Sequence, residues 1–235
     1  MADMRINASV CPANLPSTMA SSPGCCQCVK YRGSKGGGAY TLDMVKAESI
    51  PHRLLTVDEY LEFEQAASVR HEYVGGSVYA FAGASRRHNR IIMNIARPLL
   101  NAVRDGPCEV HLETVKLRPA NDVFYYPDIM VVCDESDDEN LYATRPTLVV
   151  EVLSPSTETV DRRDKLLAYR AISTMRAYVI VFQNEPRVIR HWRDDDGAWR
   201  TEELLTDGRV PFPGTNVELT LSEIYGRIVF SDSES

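Results

Sequence analysis

The chain has 235 residues, of which 44% are hydrophobic and 25% charged, and this composition is ordinary for a soluble globular protein with one sizeable domain. The sequence contains no apolar run long enough to cross a membrane and no basic-then-apolar secretory signal, so we expect no membrane partner. A net charge of −7 argues against nucleic-acid binding through the whole surface. Six cysteines without a regular framework favour a reduced, cytoplasmic protein.

The ordered pattern begins well after the first residue. Residues 1–48 are rich in Gly, Ser and Cys without periodicity, so we predict a disordered N-terminal tail. Met44 lies just before the ordered pattern and is a candidate start codon, in which case residues 1–43 are translated upstream sequence. Residues 49–230 are predicted to form one domain, and residues 231–235 an acidic C-terminal tail.

The first predicted elements are a helix and a hairpin. Thr56 and Glu59 have the spacing of a capping box, which predicts a helix over "VDEYLEFE". Gly75-Gly76 divides "HEYVGGSVYAFAG" into two short strand-like runs, which is a hairpin signal.

The segment after Ser85 has the strongest helical periodicity in the chain. Its apolar residues recur at helical spacing and predict one buried face: Ile91, Ile92, Ile95, Ala96, Leu99, Leu100 and Val103. Pro98 lies inside this pattern, so we expect a kink there.

The second half alternates strand and helix signals. "CEVHLETVKLRP" and "VFYYPDIMVVCD" each read as a strand, and the helix "DRRDKLLAYRAI" is predicted to be capped by Thr157 or Thr159. "AYVIVFQNEPRVIRHWR" predicts a hairpin turning at residues 184–186, and "VELTLSEIY" a strand followed by a helical turn. Because no βαβ unit repeats, we predict an α+β (mixed α/β) protein with a mixed central sheet flanked by helices.

A single carboxylate interrupts the most apolar strand candidate. In "PTLVVEVLSPST", Glu151 is surrounded by Val and Leu, so both faces of this strand are predicted to be buried. A buried carboxylate neutralises, pairs with a cation or binds a metal. Glu151 therefore predicts a partner elsewhere in the chain.

Two other residues converge on Glu151 in the predicted arrangement. Asp128 follows Pro127 at the start of a strand, and Lys165 lies on the inward face of the helix after Glu151. If the two strands pair, two carboxylates and one ammonium meet, and Mg²⁺ with Mn²⁺ as a substitute suits such oxygen ligands. A site of this kind is suited to phosphodiester hydrolysis, with Asp128, Glu151 and Lys165 as catalytic residues and the two acids as metal ligands.

Four segments carry a family resemblance. "YYPDIMVV", "TLVVEVLSPST", "DRRDKLLAYR" and "AYVIVF", in this order, resemble the putative restriction endonuclease family of the PD-(D/E)xK nuclease superfamily, over roughly residues 50–226. The resemblance implies a restriction-endonuclease-like core and metal carboxylates at Asp128 and Glu151. Leu153 stands where the superfamily has its lysine, and the resemblance implies that the next helix supplies this lysine, at Lys165.

Further residues fit this resemblance at the edge of the site. Glu72 in "HEYVGG" and His88 in "SRRHNRI" match positions of the family pattern. Each is expected either to contact the metal ligands or to lie close to the metal itself. Arg86, Arg87 and Arg90 lie in a segment without acids and are candidates for nucleic-acid binding.

Each candidate also has a structural interpretation. Asp128 could cap a turn, Glu151 could guard an edge strand or pair with an arginine, and Lys165 could pair with Asp161 at the surface. His88 could be a buried structural histidine. Glu72 could form a structural pair, and the arginines could form a solvated face.

The functional hypotheses differ in class. The first is a metal-dependent endonuclease acting on DNA, for which a homodimer would be natural because two strands must be cut. The second is a catalytically silent nucleic-acid-binding module, favoured by the missing lysine at Leu153. The third is an interaction protein, such as a subunit of a mobile-element system, that needs no metal. A carboxylate-pair glycosidase is disfavoured because the inward lysine suits a phosphate better.

Overall fold

The computed structural model describes residues 51, 53–80, 84–153 and 161–230. The predicted tails at residues 1–48 and 231–235 lie outside the described residues. The same holds for the predicted helix caps Thr157 and Thr159.

Four helices are described: α1 Val57–Ala66, α2 Arg86–Val103, α3 Asp161–Ala171 and α4 Leu221–Ile224. The predicted capping box of α1 is confirmed, because the Thr56 hydroxyl accepts the Glu59 N–H while the Glu59 carboxylate accepts the Thr56 N–H. Helix α2 begins after Ser85, whose hydroxyl accepts the His88 N–H, and it continues through Pro98 to Val103. No helix in the described part of the chain is long and apolar enough to span a membrane.

The strands form three sheets. The six-stranded sheet has the order β11-β10-β9-β8-β6-β3, with β3 Glu109–Leu112, β6 Ile129–Val132, β8 Pro146–Leu153, β9 Ala177–Phe182, β10 Val188–Arg193 and β11 Trp199–Leu204. The five-stranded sheet has the order β2-β1-β5-β4-β7, with β1 His71–Val74, β2 Ser77–Ala80, β4 Lys116–Ala120, β5 Val123–Tyr125 and β7 Tyr142–Ala143. Strands β12 Arg209–Phe212 and β13 Val217–Thr220 pair with each other.

Both larger sheets are mixed. Strands β8 and β9 are parallel, as are β4 and β7, whereas the other strand pairs are antiparallel. The predicted hairpins at Gly75-Gly76 and at residues 184–186 are confirmed. The fold is thus the mixed α+β architecture that the sequence predicts, with a central mixed sheet and flanking helices.

Two strand predictions are too long. "CEVHLETVKLRP" divides into β3 and β4, and "VFYYPDIMVVCD" divides into β5 and β6, so that each half joins a different sheet. The first break lies at Glu113, whose φ of 47° takes the chain out of the extended conformation. The second lies at Pro127, which has no N–H for a sheet ladder. The Glu113 N–H donates to the Pro127 carbonyl at 3.2 Å, so the two breaks meet in space.

The central sheet is buried on both faces. Helix α2 covers one face. Its apolar side chains and those of the sheet form one cluster, which includes Ile91, Ile92, Ile95, Ala96 and Leu99 of the helix and Ile129, Val131, Val150, Val152, Val179 and Val181 of the strands. Residues of α3 cover the other face in a second cluster, which includes Met130, Val149, Leu153, Tyr169, Ile172, Tyr178 and Ile180. Because both faces are covered, β8 is apolar almost without alternation.

A disulfide joins the ends of two neighbouring strands. Cys108 directly precedes β3 and Cys133 directly follows β6, and the two cysteines are bonded. Their position follows from the register, in which Glu109 pairs with Val132. This disulfide differs from the expectation that the cysteines are reduced.

A buried polar network fixes α1 to the five-stranded sheet. The Glu64 carboxylate accepts the His71 N–H at 2.9 Å and the Tyr126 hydroxyl at 2.8 Å, and its second oxygen lies 3.0 Å from His71 Nδ1. His71 is followed by Glu72, and Tyr126 precedes Pro127 and Asp128. The network therefore sets the positions of two segments that carry candidate site residues.

Glu64→Ala is expected to lower the free energy of unfolding by about 3 kcal/mol, because buried donors on His71 and Tyr126 lose their charged acceptor. Denaturant unfolding monitored by circular dichroism measures the change. Glu62→Ala on the exposed side of the same helix is the control and is expected to change stability by less than about 0.5 kcal/mol. Equal losses in the two variants would contradict a structural role for the network.

Candidate functional site

Glu151 lies in the middle of a central strand. Strand β8 is paired with β6 on one side and with β9 on the other, and Glu151 stands opposite Ile180. Its side chain is only 9% exposed. The interpretation of Glu151 as a charge guarding an edge strand is therefore wrong, and the carboxylate needs partners inside the protein.

Lys165 on α3 is the cation beside Glu151. Its Nζ lies 3.4 Å from Glu151 Oε1 and 2.9 Å from Glu72 Oε1 on β1. Lys165 is 4% exposed, so it is not a surface lysine. The side chain of Asp161, its other candidate partner, lies outside the described part of the structure. Three elements thus bring one ammonium and two carboxylates together. The inward position of Lys165 agrees with its helical spacing, and the second carboxylate beside the ammonium is Glu72.

Tyr169 and Tyr125 complete the surroundings of this pair. Tyr169 lies one turn after Lys165, and its hydroxyl donates to Glu151 Oε1 at 3.0 Å. Burial, together with the negative charge of Glu151, raises the pKa of Tyr169 well above its usual value, so the hydroxyl stays protonated and remains a donor. The Lys165 ammonium lies 5.1 Å from the centre of the Tyr125 ring.

Asp128 lies against the backbone of the strand that carries Glu151. It precedes β6, whose first residue Ile129 pairs with Val150 of β8. One Asp128 carboxylate oxygen accepts the Val152 N–H at 2.5 Å, and the residue is 3% exposed. The strand pairing assumed from the sequence is therefore confirmed, and it brings the Asp128 carboxylate to the residue next to Glu151.

Asp128 also belongs to a cluster of metal-ligand side chains. One ligand atom each from His88, Glu113 and Asp128 lies within 4.8 Å of the others. His88 Nε2 is 3.3 Å from Asp128 Oδ2. Burial by itself would lower the pKa of His88, but the hydrogen bond and charge of Asp128 outweigh it, and the pKa is raised.

The elements explain why these three side chains meet. His88 lies in the first turn of α2 on the face that carries Ile91, Ile92 and Ile95, so it points towards the sheet as its spacing predicted. Glu113 lies at the break between β3 and β4, where its N–H lies 3.2 Å from the Pro127 carbonyl and 3.3 Å from that of Asp128.

Glu113 was missed by the sequence analysis. It lies within "CEVHLETVKLRP", where it reads as an ordinary residue of a long strand. Its positive φ of 47°, uncommon for a residue other than glycine, is visible only in the structure.

The donor set of this cluster fits a divalent cation. It consists of two carboxylates and one imidazole, which are suitable ligands for Mn²⁺, and the carboxylates are suitable for Mg²⁺. Asp128 and His88 are buried, and Glu113 is half-buried. The Glu151 carboxylate, by contrast, already has Lys165 and Tyr169 as partners.

The three candidate arginines do not behave alike. Arg86 and Arg90 are exposed on the outer face of α2, next to the turn that carries His88. Arg87 is half-buried, its guanidinium lying 5.7 Å from the Phe230 ring and 3.4 Å from the Val229 carbonyl. Arg87 therefore packs against the end of the described chain, and Arg86 and Arg90 are the two that face outward.

Lys165→Met is expected to lower the free energy of unfolding by about 3 kcal/mol, because it removes the ammonium that buried Glu151 and half-buried Glu72 share. Adding Glu72→Gln to this variant should recover part of the loss, since one of the uncompensated charges disappears. Lys116→Met, which removes a half-buried lysine from β4, is the matched control. Purely additive effects of the two site substitutions would contradict the pairing.

Two proteins of Synechocystis sp. are similar to most of this chain. A protein of Synechocystis sp. described as uncharacterized protein slr1290 is 31% identical over 184 residues, covering 77% of this chain and 97% of the relative. A second Synechocystis protein, sll1609, is 32% identical over 174 residues, covering 72% of this chain and 94% of its own.

A solved structure and a family profile extend the likeness. The crystal structure of a putative nuclease belonging to DUF820, from Anabaena variabilis, has a similar fold, with a TM-score of 0.58 at 19% identity over 73% of this chain and 97% of its own. The profile of the Uma2 family, described as "Putative restriction endonuclease", matches residues 57–222. This match contains all the candidate site residues, and the chain therefore belongs to the Uma2 family of restriction-endonuclease-like proteins.

Proposed function

We propose that this protein is a metal-dependent endonuclease that hydrolyses phosphodiester bonds in DNA. The observation that carries the proposal is the position of Asp128, which shares a cluster with His88 and Glu113 and also contacts the backbone beside Glu151. Membership of a restriction-endonuclease-like family supports the same activity.

Asp128 is the proposed central metal ligand. The sequence pairs it with Glu151 as the second carboxylate ligand, and the cluster offers Glu113 and His88 as further donors. A bound Mg²⁺ or Mn²⁺ would supply acidification of a water molecule and polarisation of a phosphoryl oxygen. The Val152 N–H, which donates to Asp128, holds that carboxylate in place.

Lys165 is the proposed catalytic cation. A buried ammonium close to the reacting phosphate stabilises the negative charge that builds up during hydrolysis and can orient the attacking water. Glu72 lies closest to the ammonium, at 2.9 Å, so it is proposed as the residue that positions Lys165. Tyr169 does the same for Glu151 through its hydroxyl.

Calorimetric titration tests the ligand set. We expect Mn²⁺ to bind more tightly than Mg²⁺, because imidazole is a better ligand for Mn²⁺, and we expect Asp128→Ala to abolish binding of both ions. Glu113→Gln and Glu151→Gln are then compared. The substitution that weakens metal binding at least about tenfold identifies the second carboxylate ligand. Asp138→Ala, which removes an exposed acid from the segment between β6 and β7, is the control. Unchanged binding in Asp128→Ala would refute the metal site.

Nicking of supercoiled plasmid tests the activity. The wild-type protein should convert the plasmid to open circles only when Mg²⁺ or Mn²⁺ is present. Asp128→Ala, Glu151→Ala and Lys165→Ala should each reduce the rate at least about 100-fold, because each removes a charge that acts in the transition state. Circular dichroism of every variant verifies folding. Nicking that persists in all three variants would contradict the proposed residues.

A catalytically silent nucleic-acid-binding module is the second candidate. The specific observation in its favour is Leu153, which occupies the position two residues after Glu151 and is buried in the core beside α3. This module would bind DNA without nicking it. A protein that neither binds nor nicks DNA would be an interaction protein of the third class.

The proposal includes a homodimer in the cytoplasm. A single metal site in each chain cuts one strand, so two copies are needed to cut a duplex at one place. Analytical ultracentrifugation with and without DNA measures the assembly.

A further inference from the structure

An open groove runs along the outer face of α2. Its volume is about 1080 Å³, and its second wall is formed by α4 and the residues after it. Asn94 ties the two walls together, because its side-chain amide donates to the carbonyls of Ile224 and Gly226 at 2.9 and 3.0 Å.

Arginines line both walls of this groove. Arg86, Arg90 and Arg97 are separated by four and seven residues, so they lie in one row on α2 that extends for about 16 Å. Arg227 faces them from the other wall, where it has a φ of 63°, an uncommon conformation for a side-chain-bearing residue.

The charge of this row is not neutralised within the described part of the chain. None of the four arginines forms an ion pair with a described residue, and α2 contains no Asp or Glu. Two acids line the groove, but Glu223 is occupied by the capping box of α4, in which its carboxylate accepts the Thr220 N–H at 2.8 Å. The other acid, Glu113, belongs to the candidate metal cluster.

Glu113 therefore joins the groove to the candidate metal site. A polyanion lying along the arginine row would reach the cluster of His88, Glu113 and Asp128 at the end of the groove. We infer that the groove binds the phosphate backbone of duplex DNA and guides one strand to this cluster. This inference rests on the proposed nuclease function and names the surface that holds its substrate.

The composition of the groove favours a duplex over a single strand. Grooves for single-stranded nucleic acid combine basic residues with aromatic side chains on which bases stack. Among the described residues that line this groove none is aromatic, and the amides of Asn89 and Asn101 accompany the arginines. Arginine and amide side chains without stacking partners are typical of contacts to a duplex backbone. Such contacts fix the position of the protein on the duplex and do not select a base sequence.

Fluorescence anisotropy with a labelled DNA duplex in EDTA tests the inference separately from cleavage. In the Arg90→Gln/Arg97→Gln/Arg227→Gln variant we expect Kd to rise at least about tenfold and the slope of log K against log salt to fall by about 2 to 3. The control is Arg145→Gln/Arg176→Gln/Arg200→Gln, which removes the same charge from exposed positions outside the groove and should leave both quantities nearly unchanged. An Arg→Lys triple at the groove positions should keep the wild-type salt slope.

Two outcomes would overturn the inference. In the first, the groove variant and the control variant have the same Kd and the same salt slope, while circular dichroism shows that both are folded. The other is tighter binding of a single strand than of the duplex. Because the assay contains no divalent ion, duplex binding through the groove with no plasmid nicking would uphold this inference while refuting the nuclease proposal.

Discussion

The structure depends on the burial of one carboxylate in the middle of its central strand. Glu151 has apolar neighbours on both sides along β8, and a charge in such a place is stable only with a nearby cation and hydrogen-bond donors. Lys165 and Tyr169 on α3 provide these, and Glu72 on β1 shares the ammonium. These polar contacts link α3 to both large sheets.

Asp128 connects the strand that carries Glu151 to helix α2. Its carboxylate receives a backbone N–H of β8 and lies 3.3 Å from His88 of α2, the helix that covers the other face. The breaks at Glu113 and Pro127 make room for this carboxylate, because the ladder between β3 and β6 ends there. Helix α2 thus carries both His88 of the ligand cluster and the arginine row.

Residues whose role follows from local pattern were predictable. The apolar run around Glu151, the helical spacing of Lys165 and the inward position of His88 all follow from period and burial, and the structure agrees with them. Glu113 and Arg227 were not identified, because their positions depend on a positive φ and on the approach of segments distant in sequence. The same limitation explains the two overlong strands, since a strand that changes sheets keeps its β-forming composition.

The most direct test is a crystal structure of the protein with Mn²⁺, located by its anomalous scattering. We expect one strong anomalous peak bonded to the Asp128 carboxylate, with His88, Glu113 or Glu151 among its other ligands. An ion bound elsewhere without Asp128, or no peak at a Mn²⁺ concentration that supports binding in solution, would show that Asp128 does not hold the metal.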